Sequence, residues 1–156
     1  MRKRSVIVLS ILIVFFTMGC TILNKSSFKQ TQLNTIAEVM LSEVTQDEDI
    51  LSYSLINNSD QTIWYGSEVR LEKERFGKWY RIDRIDPEVL FTPDLYNLSS
   101  GREESHKIDL DYWKGIKTGK YRIIETFMLT EYNELRKVEE PRKGYYYVSR
   151  EFEIEN

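Results

Sequence analysis

The stretch Ile50-Leu51-Ser52-Tyr53-Ser54-Leu55-Ile56, followed at once by Asn57-Asn58-Ser59-Asp60, alternates large apolar with small polar residues and then ends in a turn cluster. Extended backbone points successive side chains to opposite faces. Leu51, Tyr53 and Leu55 therefore share one face and Ser52 and Ser54 the other, the pattern of a half-buried strand. Asn and Asp end it because they tolerate the left-handed region and bond their own backbone.

Reading outward, the same period recurs. Upstream, Ile36 to Val44 form a first candidate strand, closed by a turn at Gln46-Asp47-Glu48. Downstream, Thr62 to Glu74 place Ile63, Tyr65, Val69, Leu71 and Lys73 along an extended run in which Gly66 marks a bulge or bend. Arg75-Phe76-Gly77-Lys78 turn the chain, and Trp79 to Ile82 return as the second arm of a hairpin. Asp83 to Glu103, with Pro87 and Pro93, read as a long loop that packs down through Val89, Leu90, Phe91, Leu95, Tyr96 and Leu98.

Further on, Ser105 to Leu110, Tyr121 to Leu129 and Tyr145 to Ile154 are strands, and Asn133 to Lys143 form a solvated hairpin loop. About seven strands and no helix of convincing period fit an all-β antiparallel sandwich over residues 36–156.

Composition narrows the chemistry. The 156 residues are 41% hydrophobic and 13% aromatic, too apolar for a disordered chain and right for one domain. The single Cys excludes an intramolecular disulfide. With a single His as well, no Cys/His zinc set can be assembled, and a nucleophile–His device would have to be built on His106 alone. No catalytic residue, metal or cofactor is expected.

The amino terminus reads as an address. Arg2-Lys3-Arg4 precede an apolar run from Val6 to Phe16 broken only by Ser10, and Thr17-Met18-Gly19-Cys20 follow. A basic region, a short apolar core and a small residue before the cut describe a secretory signal, here residues 1–19. Gly19-Cys20 resembles the bacterial lipobox, in which the Cys becomes the lipidated first residue; Thr17 and Met18 depart from its usual Leu and Ser or Ala. An uncleaved signal anchor over Val6 to Leu23 is the rival reading. Both place the protein at the cell membrane, facing outside. Residues 20–35 then read as the lipidated Cys and a flexible tether. Removing residues 1–19 takes away three of the 22 basic residues and none of the 25 acidic ones, leaving a net charge of −6 and arguing against nucleic acid as a partner.

Several segments together resemble a known family. Asn57-Asn58-Ser59, Tyr65-Gly66, Leu71-Glu72-Lys73 and Gly77-Lys78-Trp79-Tyr80 are followed by Ser100-Gly101-Arg102-Glu103, Asp109-Leu110, Gly119-Lys120-Tyr121-Arg122-Ile123 and Glu151-Phe152-Glu153-Ile154. In order and spacing, from about Ile36 to Glu155, these are similar to the bacterial immunoglobulin-like domain family found in exported lipoproteins of Gram-positive bacteria. Only Glu131 to Lys143 departs, by its length. The resemblance implies a sandwich with no established catalytic residues.

Individual residues complete the reading. Tyr121, after Gly119, matches the tyrosine corner, whose hydroxyl bonds back to upstream backbone. Trp79 or Trp64 is the expected core indole. His106 is read as a solvent-facing strand residue, and Asp109 and Asp111 as solvated charges in preference to calcium ligands. Asn57-Asn58-Ser59 and Asn97-Leu98-Ser99 are read as turns. In the run Tyr145-Tyr146-Tyr147, Tyr146 is the expected outward ring, and with Tyr96 and Trp113 it is the candidate contact surface. The expected function is a membrane-anchored, non-catalytic accessory module that binds another envelope protein. The alternative is a sensor of cell-wall glycan or a small ligand.

Overall fold

The computed structural model describes residues 24–86 and 94–155. The signal segment, Cys20 and the Val89-Leu90-Phe91 run lie outside the described residues. Within them the chain forms eleven strands: β1 Asn24–Lys25, β2 Val39–Leu41, β3 Thr45–Asp47, β4 Ile50–Asn57, β5 Ile63–Arg75, β6 Lys78–Arg81, β7 Leu95–Leu98, β8 Arg102–Asp109, β9 Gly119–Asn133, β10 Val138–Pro141 and β11 Tyr146–Ile154.

They build two antiparallel sheets. In the larger, β5 and β9 are central. β6 and β7 pair along the free edge of β5, β10 and β11 along that of β9, and β1 extends the sheet beyond β6. In the smaller, β4 is flanked by β8 on one edge and by β2 and β3 on the other. The two sheets enclose one core, in which Leu51 and Leu55 of β4 meet Ile63 and Leu71 of β5, Tyr121 and Ile123 of β9 and Val148 of β11. This is the antiparallel sandwich expected from the strand pattern, with the immunoglobulin-like fold that the resemblance implies.

Local chemistry explains the corners. The β5–β6 turn sits at Phe76 and Gly77, both with positive φ (54° and 72°), as a two-residue hairpin with right-handed strand twist demands. The Tyr121 hydroxyl donates to the Lys117 carbonyl at 2.6 Å and accepts from its N–H at 3.1 Å, closing the corner before β9. Asn57 is fully buried and does more than turn. Its amide donates to the carbonyls of Gln61 and Leu98 at 2.9 Å, while its side-chain oxygen receives Ser59. That one side chain ties the β4–β5 loop to β7.

Several boundaries differ from expectation. The first strand shrinks to Val39–Leu41, and Gln46 and Asp47 belong to β3, with the turn moved to Glu48 at φ 52°. The loop after Asp83 contains β7, and the Asn133–Lys143 loop contains β10. The core indole is neither Trp64 nor Trp79. Trp64 donates to Thr130 Oγ1 at 3.1 Å, Trp79 stacks on Arg122 at the outer face, and Trp113 is the buried one.

The largest correction concerns the tether. Residues 24–34 are an arm laid across the outer face of the larger sheet. Asn24 and Lys25 pair with Arg81 and Tyr80, and Ser26 donates to the Trp79 carbonyl at 2.9 Å. Phe28 meets Tyr147 edge-on, Leu33 is buried, and Asn34 bonds Tyr147 and Ser149 of β11. Beneath the arm lies an ion pair. Arg122 Nε and Nη2 contact Glu72 Oε2 at 2.8 and 2.6 Å, and Gln30 and Ser26 of the arm accept two further guanidinium N–H groups, from Nη1 and Nη2. Arg122 and Glu72 are each about 1% exposed.

A buried charge that loses its partner is costly, whereas replacing both by apolar residues can be neutral. Glu72→Ala should therefore lower unfolding stability by about 3–5 kcal/mol, and the double change Glu72→Met with Arg122→Met by far less. Urea denaturation of the three proteins measures the difference; equal losses would remove the pair from this role.

Candidate functional site

β9 carries a second buried charge, on its inward face. Glu125 is 2% exposed among Ile123, Phe127 and the facing sheet. One of its oxygens, Oε1, holds two partners: the Tyr53 hydroxyl donates to it at 2.5 Å, and His106 Nδ1 lies 2.9 Å away. The second oxygen has no hydrogen-bond partner among the described residues. A carboxylate removed from water needs such donors, because its desolvation otherwise exceeds what packing returns.

The three residues meet because β4 and β8 are neighbours. Tyr53 faces His106 across the ladder, and both point inward toward β9. His106 is therefore not the solvent-facing residue expected; its side chain is 16% exposed and bonded to a buried acid. Burial alone would pull its imidazole down, but the hydrogen bond and charge of Glu125, with Glu104 beyond, raise its pKa above the ordinary value. Tyr53 is pushed far up by burial and then by Glu125, so it stays protonated as a donor. Tyr65 is also raised, by burial first and then by Glu104, Glu125 and Tyr96.

From this cluster the rings lead outward. Centroids step from Tyr53 to His106 (5.5 Å), from His106 to Tyr65 (5.7 Å) and from Tyr65 to Tyr96 (5.7 Å). Tyr96 is 47% exposed. The step to the surface occurs at a bulge: between Tyr65 and Val69, β5 inserts residues that β9 does not match. Gly66 stands at that bulge, as its place in the run suggested. Clefts open on both sides of it. One, of about 260 Å³, lies between Tyr65, Tyr96, Glu104 and His106. The other, of about 310 Å³, lies between Leu95, Phe127, Tyr145 and Tyr147. Leu95 and Tyr145 are exposed at its rim.

Of the residues singled out in the sequence, Tyr96 stands at this patch. Trp113 does not; it is buried and stacked by the Arg84 guanidinium at 5.6 Å. Tyr146 is not the outward ring. It stacks on Phe127 at 5.6 Å, because it shares parity with the inward Val148 and Ile154, and Tyr145 is the exposed neighbour. Asp109 caps the turn at Leu110–Tyr112 by accepting from the Asp111 amide at 2.9 Å. Among the described residues no group of three or more His, Cys, Asp or Glu side chains converges as a metal site, and no helix is long and apolar enough to cross a membrane. Glu125, Tyr65 and Tyr145 were missed, although Glu125 shares the parity of Tyr121, Ile123 and Phe127, which placed it inward.

The geometry can hold a charge and present aromatic surface. A family model described as Bacterial Ig-like domain matches residues 34–155. No curated protein matches the chain.

The His106 pairing predicts a pH dependence. The folded imidazole binds its proton more tightly than the unfolded one, so unfolding releases a proton once pH exceeds about 6.5. The contribution is complete below that pH and is lost as pH rises through the folded value. Thermal melts from pH 5.5 to 9 should show a decline that His106→Gln flattens; an unchanged slope in the variant would refute the assignment.

Proposed function

The chain belongs to the bacterial Ig-like domain family, and from that premise we propose that it is a non-catalytic accessory module, held at the outer face of the cell membrane by a lipid on Cys20, that binds another envelope protein. The observation that carries the binding role is the patch at the β5 bulge. Leu95 and Tyr145 expose apolar area at one of its two clefts and Tyr96 at the other, both clefts near the lower end of ligand-pocket size. Exposed tyrosines favour protein contact, since each buries a large rigid ring while its hydroxyl stays bonded. The anchor is supported by the basic cluster, the apolar run and Gly19-Cys20.

A glycan is the second reading. Tyr96 offers a ring face for a sugar to stack on, and Glu104, Ser105 and Lys107 supply polar groups beside it.

The test is mild crosslinking in the protein's own membranes, followed by recovery of the chain and identification of what accompanies it. One recurrent envelope protein is expected, lost in Cys20→Ala and reduced at least about tenfold in Tyr96→Ala with Tyr145→Ala, since two central aromatics commonly account for 1 kcal/mol or more each. Recovery of cell-wall fragments alone would favour the glycan. An unacylated Cys20, read by mass, would remove the anchor.

A further inference from the structure

A third cleft, of about 260 Å³, lies away from the aromatic patch and is lined by Asn24, Lys25, Ser27, Arg70, Glu72 and Arg81. Its walls are β1 and the start of the arm, the outward face of β5 and the end of β6. Three cations surround one carboxylate, and that carboxylate is already engaged from below by Arg122. Asp83 accepts from Arg81 Nη2 at 2.8 Å and Nε at 3.0 Å and from the Asn24 amide at 3.0 Å, and Arg70 touches Glu68 at 3.5 Å with its guanidinium 5.1 Å over the Phe28 ring; the two arginine side chains are 53% and 37% exposed. Lys25 is exposed, with no ion pair among the described residues. The cleft is left with an excess of positive charge and of N–H donors. A compact anion with several oxygens answers both, and guanidinium forks match phosphate in particular.

Position narrows the source of that anion. Asn24 enters the cleft only four residues after Cys20. Four residues span at most about 14 Å, so an acylated Cys20 holds the cleft at headgroup depth. The negative net charge of the exported chain gives no general attraction to an anionic bilayer, so contact must be made locally.

We propose that this cleft binds the phosphate of an anionic phospholipid headgroup in the membrane that carries the anchor, seating the sandwich on the bilayer by its β1–β6 edge. The proposal rests on the anchored reading of Cys20.

The full chain, purified from its own membranes and checked by mass for acylation of Cys20, is placed in nanodiscs of phosphatidylcholine with or without phosphatidylglycerol. Amide exchange is then read over residues 24–33. Phosphatidylglycerol should slow exchange there by at least about fivefold, the effect of one basic side chain at an anionic surface. Lys25→Gln with Arg81→Gln, whose side chains are exposed and whose melting temperature should not change, should abolish that slowing while leaving β4 exchange as it was. No effect of phosphatidylglycerol on the acylated chain overturns the cleft and leaves the anchor standing. An unacylated Cys20 overturns both. Equal slowing by inorganic phosphate in phosphatidylcholine discs overturns the lipid assignment.

Discussion

The guanidinium of Arg122 sits under about 1% exposure on the outer face of a sheet, where an unassisted side chain would meet water. Holding it there takes a carboxylate from β5, an indole from β6 and two polar groups from the arm. Each requirement fixes a piece of architecture. Glu72 and Arg122 face one another only in the observed β5–β9 register, and a one-residue slip would put them on opposite faces of the sheet. The arm must cross from β6 to β11 to close the pair off, which gives residues 24–34 an ordered path before the first core strand. With no disulfide possible between the sheets, β9 is the element around which the fold is organised, packed on its inner face by the core and on its outer face by the arm.

The other buried charge obeys the same rule with the opposite result. Glu125 is satisfied from the facing sheet, by Tyr53 and His106, so the polar contact bridges the two layers where immunoglobulin-like domains often carry a covalent link. The His is a partial donor, charged or neutral according to pH, and this makes the bridge conditional. Its neighbours Tyr65 and Tyr96 continue the same row of rings to the surface, so the exposed Tyr96 ring and the inter-sheet bridge share a side-chain environment. A ligand pressing on Tyr65 would bear directly on the ring beside His106.

Much of this was legible in the sequence, and the misses have physical causes. The alternation at Leu51, Tyr53 and Leu55 placed β4 correctly because one of its faces is solvated and the other buried. β9 carries no such alternation between Tyr121 and Glu125, since both of its faces are buried there, and so residue type alone gave no sign that Arg122 and Glu125 are interior. Parity was available and would have served better than composition. His106 lies two residues before the inward Ile108, and Tyr146 two before the inward Val148, so both belong inside. The arm was illegible for a different reason. Its polar residues suit a tether, and only the presence of Arg122 on the sheet beneath gives Ser26 and Gln30 something to bond.

The distribution of covered and open surface then bears on where a partner can sit. The outer face of the larger sheet is occupied by the arm, and its β1–β6 edge faces toward Cys20 along the chain. The outer face of the smaller sheet presents Ser52 and Ser54 of β4 with Glu103, Ser105 and Lys107 of β8, and carries apolar side chains at its Met40–Ile56 end. A different surface lies at the seam where β5 bulges between β7 and the start of β11. There the ladder is interrupted and Gly66 has no side chain to fill the gap, so Leu95, Tyr96 and Tyr145 stand clear of the sheet. A bulge at such a place re-aims side chains that a regular strand would lay flat. The same irregularity that weakens β5 as a strand thus gives the domain an aromatic surface that neither the core nor the arm has already used.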